Sequence, residues 1–157
     1  MISIFVMAGC ASAFHGPINS PEYSELIEEA LPPESGKVVM SDSGSWFPNT
    51  QGFNDIRSGR SSIFSPTSIP GIIVITDKEI LFQQWNKNEN NYKIMLRISF
   101  VDIQSLSLDE WGINRRIVIQ KRDYTLSSFD FTTGKGQIVS KSKVEHAYNL
   151  LKQHIGK

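Results

Sequence analysis

"GIIVITDKEILF", residues 71–82, decides the fold of this 157-residue chain. Two apolar runs rich in isoleucine and valine are joined at Thr76-Asp77-Lys78-Glu79. Short β-branched runs bounded by turn chemistry read as strands, and a polar break this tight reads as a hairpin. Asp77 is placed to bond its own backbone within the turn. The hairpin is the first of a series, because everything from Ile69 onward reads as strands.

Downstream, "YKIMLRIS" (92–99) alternates strictly. Ile94, Leu96 and Ile98 fall on one face, and Lys93, Arg97 and Ser99 on the other. "VDIQSLSL", "RRIVIQK" and "YTLSSFDF" follow, with turns expected over Asp109–Asn114 and at Arg122-Asp123. Upstream, Lys37–Ser41 supplies one more strand, giving about seven. After Gly134-Lys135-Gly136, "SKVEHAYNLLKQHI" (142–155) reads as a closing helix. Ser142 and Glu145 form a capping box, and Val144, Ala147, Tyr148, Leu151 and Ile155 make an apolar stripe. A shorter helix is expected within "SPEYSELIEEALPP" (20–33), with Ser20 as N-cap, Pro21 at the first helical position and Pro32-Pro33 as the stop. Its face of Tyr23, Leu26, Ile27 and Ala30 must dock on something for so short a helix to persist.

Between the first strand and the hairpin lies a polar stretch, Asp42–Ser68, that reads as one long loop. It carries Trp46, Phe47, Phe53, Ile56 and Phe64. Loops of this length in a compact domain are functional or disordered. The embedded rings favour a loop that packs or binds over a floppy one, and covering the edge of the core is the plainer reading, ahead of binding a partner.

The totals narrow the function. An apolar fraction of 39% with 10% aromatics supports a packed core without disulfides. Lys+Arg and Asp+Glu are both 16, and a formal net charge of zero argues against a nucleic-acid binder. One cysteine, Cys10, excludes an intramolecular disulfide and any multi-cysteine metal site. His15, His146 and His154 are scattered, and Gly134-Lys135-Gly136 lacks the spacing of a phosphate loop. Asp102 reads as a turn residue and not as a catalytic acid. No enzyme and no cofactor are expected. Arg115, Arg116, Lys121 and Arg122 border one strand on alternate faces, as on a solvated edge that blocks unwanted pairing.

The N-terminus points to a compartment. Residues 2–7 are nearly all apolar, Ala8-Gly9 are small, and Cys10 follows. Met7-Ala8-Gly9-Cys10 resembles the lipobox of a bacterial lipoprotein signal. The resemblance implies cleavage before Cys10 and acylation of its thiol, which anchors firmly because each buried CH₂ contributes about 0.8 kcal/mol. No Lys or Arg precedes the apolar run, and a start upstream of Met1 would supply one. In the other reading of this segment, Met1–Ala13 packs on the domain and Cys10 is a small buried hydrophobe.

The strand series followed by one amphipathic helix, with "GIIVITDKEILF" and then "ISFVDIQSLSL", is similar to the pleckstrin-homology (PH) superfold in its GRAM-type and bacterial PH-like forms. The resemblance covers roughly residues 36–155. It implies a bent antiparallel barrel of about seven strands with its last helix plugging an open corner, plus the short N-terminal helix. It also implies binding of lipid headgroups or peptides, not catalysis. The chain thus divides into a signal segment (1–9), a lipid tether with a short helix (10–35) and a PH-like domain (36–157). The expected function is a lipid-anchored, non-enzymatic binding module facing outside the cytoplasm, engaging an envelope protein or peptide. Trp46, Phe47, Phe53, Arg57 and Arg60 are its candidate contacts, with the groove beside the last helix as a second surface. Three alternatives stand: a barrel of the envelope that binds a lipid or small molecule, a cytoplasmic domain if Cys10 is never acylated, and, last, an enzyme.

Overall fold

The computed structural model describes residues 16–18, 20–48, 68–111, 114–133 and 138–155. Helix α1 (Glu22–Glu29) leads into a 3-10 turn, Pro33–Ser35. Then come β1 (Val38–Pro48), β2 (Ile69–Thr76), β3 (Glu79–Asn86) and β4 (Asn91–Ser99). A second 3-10 turn, Phe100–Asp102, joins them to β5 (Ile103–Trp111), β6 (Asn114–Lys121) and β7 (Leu126–Thr133). A two-residue strand, β8 (Ile138–Val139), pairs with β7 before the closing helix α2 (Lys141–His154). The sheet runs β4-β3-β2-β1-β7-β6-β5, antiparallel throughout. It is bent but not closed: β4 and β5 are its two edges, and the barrel expected from sequence has an open seam.

The deciding stretch is apolar at every position of Ile72–Ile75 because β2 is covered on both faces. Ile73 and Ile75 join Ile80, Phe82, Ile98, Ile117, Ile119, Phe129 and Phe131 in the main core. Ile72, Val74 and Leu81 face the other way, onto Ile27 of α1. From α2, Val144, Ala147 and Leu151 plug the main core as expected. Burying a Val or a Leu side chain stabilises by about 1.5–3 kcal/mol.

The hairpin turn is where the sequence placed it, but its bonds differ. Thr76 Oγ1 accepts from the backbone N–H of Lys78 (3.1 Å) and Glu79 (3.0 Å) and donates to the Glu79 carbonyl. Asp77 instead accepts from Lys37 N–H, 2.9 Å away, tying the turn to the start of β1.

Other expectations are corrected. β1 continues to Pro48, so Asp42–Pro48 is strand and not loop. The Asp-Ser-Gly-Ser run looked like turn chemistry, yet at Gly44 a Cβ would run into the Asp130 carbonyl of β7, so only glycine fits the close pairing there. Ile94 and Leu96 part company: Ile94 packs on the α1 side and Leu96 on the main core. Phe82 faces Leu96 while Gln83 faces Ile94, which makes Met95 an extra bulged residue, and one extra residue flips the strand. Arg115 and Arg116 sit on β6, inside the sheet between β5 and β7, not on an edge. The β5 and β6 strands extend into the expected 109–114 turn, reaching Trp111 and resuming at Asn114. Ser140, not Ser142, caps α2 by accepting from Lys143 N–H. Ser20 makes no capping bond; among the described residues its buried hydroxyl has no partner, and α1 starts at Glu22. Asp102 receives Arg122 N–H through its main-chain carbonyl, 2.8 Å away.

Candidate functional site

The two sheet edges differ in how much of each is covered. Along β4, the Met95 bulge breaks the ladder, and Arg97 reaches back to Glu79 with two bonds of 2.9 Å. Arg97 also holds Glu34 at 3.0 Å, locking the turn before β1 against this edge. These two carboxylates raise the Arg97 guanidinium above its ordinary range, Glu79 contributing most. Tyr92 donates to the Pro17 carbonyl at 2.9 Å, and α1 lies over the same end of the sheet. Charges, bulges and covering segments are how natural sheets protect edges.

β5 carries no bulge past its first residues, and its ion pair, Glu110 with Arg115, sits at its far end. Its single irregularity lies between Ile103 and Ser105, and from there to Trp111 it pairs with β6 in unbroken register. Among the described residues no strand pairs with its other side. Alternate N–H and C=O groups of an edge strand point outward, ready to accept another chain. On the inward face Leu106 and Leu108 pack half-buried on the rim of the main core, and so do Tyr148 of α2 and Ile155 just past its end. Arg115 joins Glu110 of β5 to Glu145 of α2 at one end. At the other end, Phe100 stacks on His154, ring centroids 5.9 Å apart. The arrangement supplies a backbone ladder beside a partly exposed apolar rim with ionic ends.

The outer face of this half is polar yet covered. Asp109 faces Arg116 across β5 and β6, Arg116 lies one step past the Ile117–Phe129 pair beside Asp130, and Asp130 faces Ser45 of β1. Asp130 is 6% exposed and Arg116 9%. Ser45 N–H donates to Asp130 at 2.9 Å. Burial pushes the Asp130 carboxyl up, with the Ser45 bond and Arg116 opposing it. Burial also lowers the Arg116 guanidinium, against the pull of Asp130 and Asp109. Nearer the β6–β7 turn, Ser105, Ser107, Val118 and Gln120 line a shallow cavity of about 250 Å³.

The structure places Trp46 and Phe47 in β1. Trp46 faces inward against Phe82, centroids 5.6 Å apart, and its indole N–H donates to Ser127 Oγ at 3.3 Å. Phe47 points to the outer face, 4% exposed, with the Arg116 guanidinium 3.5 Å above its ring. Trp46 and Phe47 are therefore packed strand residues. Cys10, Phe53, Arg57 and Arg60 lie outside the described residues, as do His15 and the Gly134–Gly136 turn. Sequence reasoning missed Leu106, Leu108 and the β5 ladder. The alternation of "SLSL" marked a strand, but nothing in it marked an edge. Among the described residues, no three His, Cys, Asp or Glu side chains come together as a metal site, and no helix is long and apolar enough to cross a membrane.

No protein-family model matches the sequence, and no curated protein is similar to it at a significant level. Solved structures do match in shape. The Slm1 PH domain in complex with D-myo-inositol 4-phosphate superposes with a TM-score of 0.52 at 9% identity, covering 77% of this chain and 98% of that one. The same domain in complex with phosphoserine gives 0.50 at 10% identity, over 76% and 97%. The Vav1 exchange factor, described for the structural role of its PH and C1 domains, gives 0.52 at 6% identity, over 84% of this chain and 32% of that one. At such identities the likeness concerns architecture alone: the open seven-strand sheet, its corner plugged by α2, is a PH-like fold.

Proposed function

We propose that this chain is a non-enzymatic PH-like binding module of the cell envelope, tethered by lipid on Cys10, that takes an extended segment of an envelope protein as an added strand along β5. The observation that carries the reading is the contrast between edges: β4 is bulged, ion-paired and overlaid, while β5 offers seven residues in regular register, Ser105–Trp111. Strand addition draws affinity from the backbone ladder and specificity from the alternate side chains, which suits the apolar rim of Leu106, Leu108 and Tyr148. The filled interior argues against the alternative of a barrel that holds a lipid or small molecule. Phe82, Phe129 and Phe131 occupy it, each at most 2% exposed.

A photo-crosslinker placed at Ser107 or at Met95 in the native cell tests the edge. Partner adducts are expected from Ser107 and none from Met95. Equal capture at both, or capture at Met95 alone, removes β5 as the binding edge. Intact-mass analysis of the membrane fraction tests the tether: a chain beginning at an acylated Cys10 supports it, and an unmodified chain beginning at Met1 dismisses it.

The inositol phosphate and phosphoserine complexes of the similar Slm1 domain favour a second reading, headgroup binding through Arg57 and Arg60. Replacing both by Ala should then weaken association with anionic vesicles, most at low salt. Unchanged association ends that reading.

A further inference from the structure

A sheet with two open edges can grow without end, copy upon copy, whereas a sheet with one open edge stops at two. This fold has the second design. β4 is guarded by the Met95 bulge, by Arg97 held between Glu79 and Glu34, and by the segment bonded to Tyr92. A head-to-tail contact, β5 of one copy on β4 of the next, is thereby blocked. β5 against β5 is the pairing left to two copies of this chain, and it closes on itself.

The sequence of β5 suits that closure. Two strands related by a two-fold axis pair antiparallel, so that residue i of one copy meets j of the other while j meets i. The regular ladder is bounded by the irregularity between Ile103 and Ser105 at one end and by the Glu110–Arg115 pair at the other. Its midpoint is Ser107, and "SLSLD" (105–109) keeps its order of polar and apolar residues when reversed. With the axis at Ser107, Leu106 meets Leu108 of the second copy, and Leu108 meets Leu106. Ser107 meets its own counterpart, and Ser105 meets Asp109, a hydroxyl donor against a carboxylate. Glu110 meets Gln104. Like charges directly opposite destabilise a pair of strands, and this register sets none against each other. Moving the axis by one residue spoils the match. Centred on Leu108 it sets Leu106 against Glu110; centred on Leu106 it sets Leu108 against Gln104 and Asp109 against Ile103.

The faces agree as well. An axis perpendicular to the sheet continues the inward face of one copy into that of the other. Leu106, Leu108, Tyr148 and Ile155 form a half-buried apolar rim there, and a second copy covers what one copy leaves wet. The ladder is short, and its buried area falls below the roughly 1,200 Å² at the low end of standard interfaces. Such a dimer is reversible, with a Kd on the order of 10–100 µM.

We infer that two copies of this chain pair through β5 around a two-fold axis at Ser107, and that a partner's strand must displace the second copy to bind. The inference rests on the same open edge as the strand-addition reading, and its tests separate the two. Sedimentation equilibrium of the full chain, with its one thiol blocked, should show a reversible monomer–dimer equilibrium. Ser107→Lys sets two ammonium groups opposite each other and should raise Kd at least about tenfold. Met95→Lys should leave it unchanged. The register is read by oxidation in a Cys10→Ala background. Ser107→Cys should form a covalent dimer, because directly opposed Cβ atoms lie about 4.5–5.5 Å apart. Ser105→Cys should not, since about 13 Å of strand separates that residue from its counterpart. A chain monomeric up to about 1 mM, a dimer indifferent to Ser107→Lys, or faster oxidation at residue 105 than at 107 overturns the inference. A dimer that passes these tests while a crosslinker at Ser107 captures only this chain itself in the cell keeps the self-pairing and sinks strand addition. Foreign adducts at Ser107 on a chain that never dimerises sink the self-pairing alone.

Discussion

The sheet of this protein ends in two edges built to opposite specifications. At β4, a bulge, an arginine bound to two carboxylates, a helix and an ordered N-terminal segment converge on nine residues. At β5, the outward face carries Ser105, Ser107 and Asp109, the inward face two half-buried leucines, and the ladder runs without interruption from Ser105 to Trp111. An edge left open is an aggregation hazard unless a partner fills it or the chain gains something by keeping it open. The fold protects one edge and leaves its counterpart regular, which separates the part of the molecule that stabilises from the part that is available for binding.

The contrast breaks most visibly at α1. Ile27 is 1% exposed and seals Ile72, Val74 and Leu81 beneath the helix. Ile27→Ala should cost about 2–5 kcal/mol in urea denaturation and accelerate amide exchange along β4. A loss under about 1 kcal/mol would mean that α1 merely rests on this edge. The converse change belongs on β5. Ser107 is exposed, so Ser107→Lys should move stability by no more than about 0.5 kcal/mol. A lysine on the edge should still weaken partner capture at least tenfold, about 1.4 kcal/mol. Met95→Lys serves as the control and should leave capture unchanged. Equal losses from the two lysines would erase the distinction between the edges.

Legibility in the sequence followed the range of the interactions involved. The 71–82 hairpin was readable because strand identity and turn chemistry are local, and the stripe of α2 was readable because helical periodicity survives any docking partner. Met95 was not readable as a bulge, since a bulge is defined by the strand opposite; an apolar residue on the face of Lys93 and Arg97 was its one local trace. The reach of β1 to Pro48 was hidden for a related reason. Asp42–Ser45 carries turn-forming residues, and only the proximity of β7 shows why serine and glycine are needed there. Arg116 looked like an edge residue because a charged strand position is usually solvated. Its burial beside Asp130 depends on strand order, which no local pattern encodes. The same dependence concealed the candidate site, because being an edge is a property of the whole sheet and not of "SLSL".

The smallest expected effect lies on the covered polar row behind β5 and sharpens the comparison by pH. Burial raises the Asp130 carboxyl above its unfolded value, so the folded chain binds that proton more tightly than the unfolded chain. Stability from this group is fully present below the ordinary aspartate range and is lost as pH rises through the raised value. Carboxylates with the opposite shift pull the other way. Asp123 is held down to about 2, first by the Thr125 hydroxyl and backbone and then by Lys121, so its contribution is lost as pH falls toward that value. The whole-protein profile mixes both slopes, and the difference between wild type and Asp130→Asn isolates one. Asparagine keeps the acceptor for Ser45 N–H and removes the titration, so the variant should gain on wild type as pH rises from about 4. The gain should level off once the carboxyl is fully ionised. Denaturation midpoints that run parallel across that range would show that Asp130 titrates as an ordinary surface carboxylate, and the row Asp109–Arg116–Asp130 would then be a solvated face like the serines of β5.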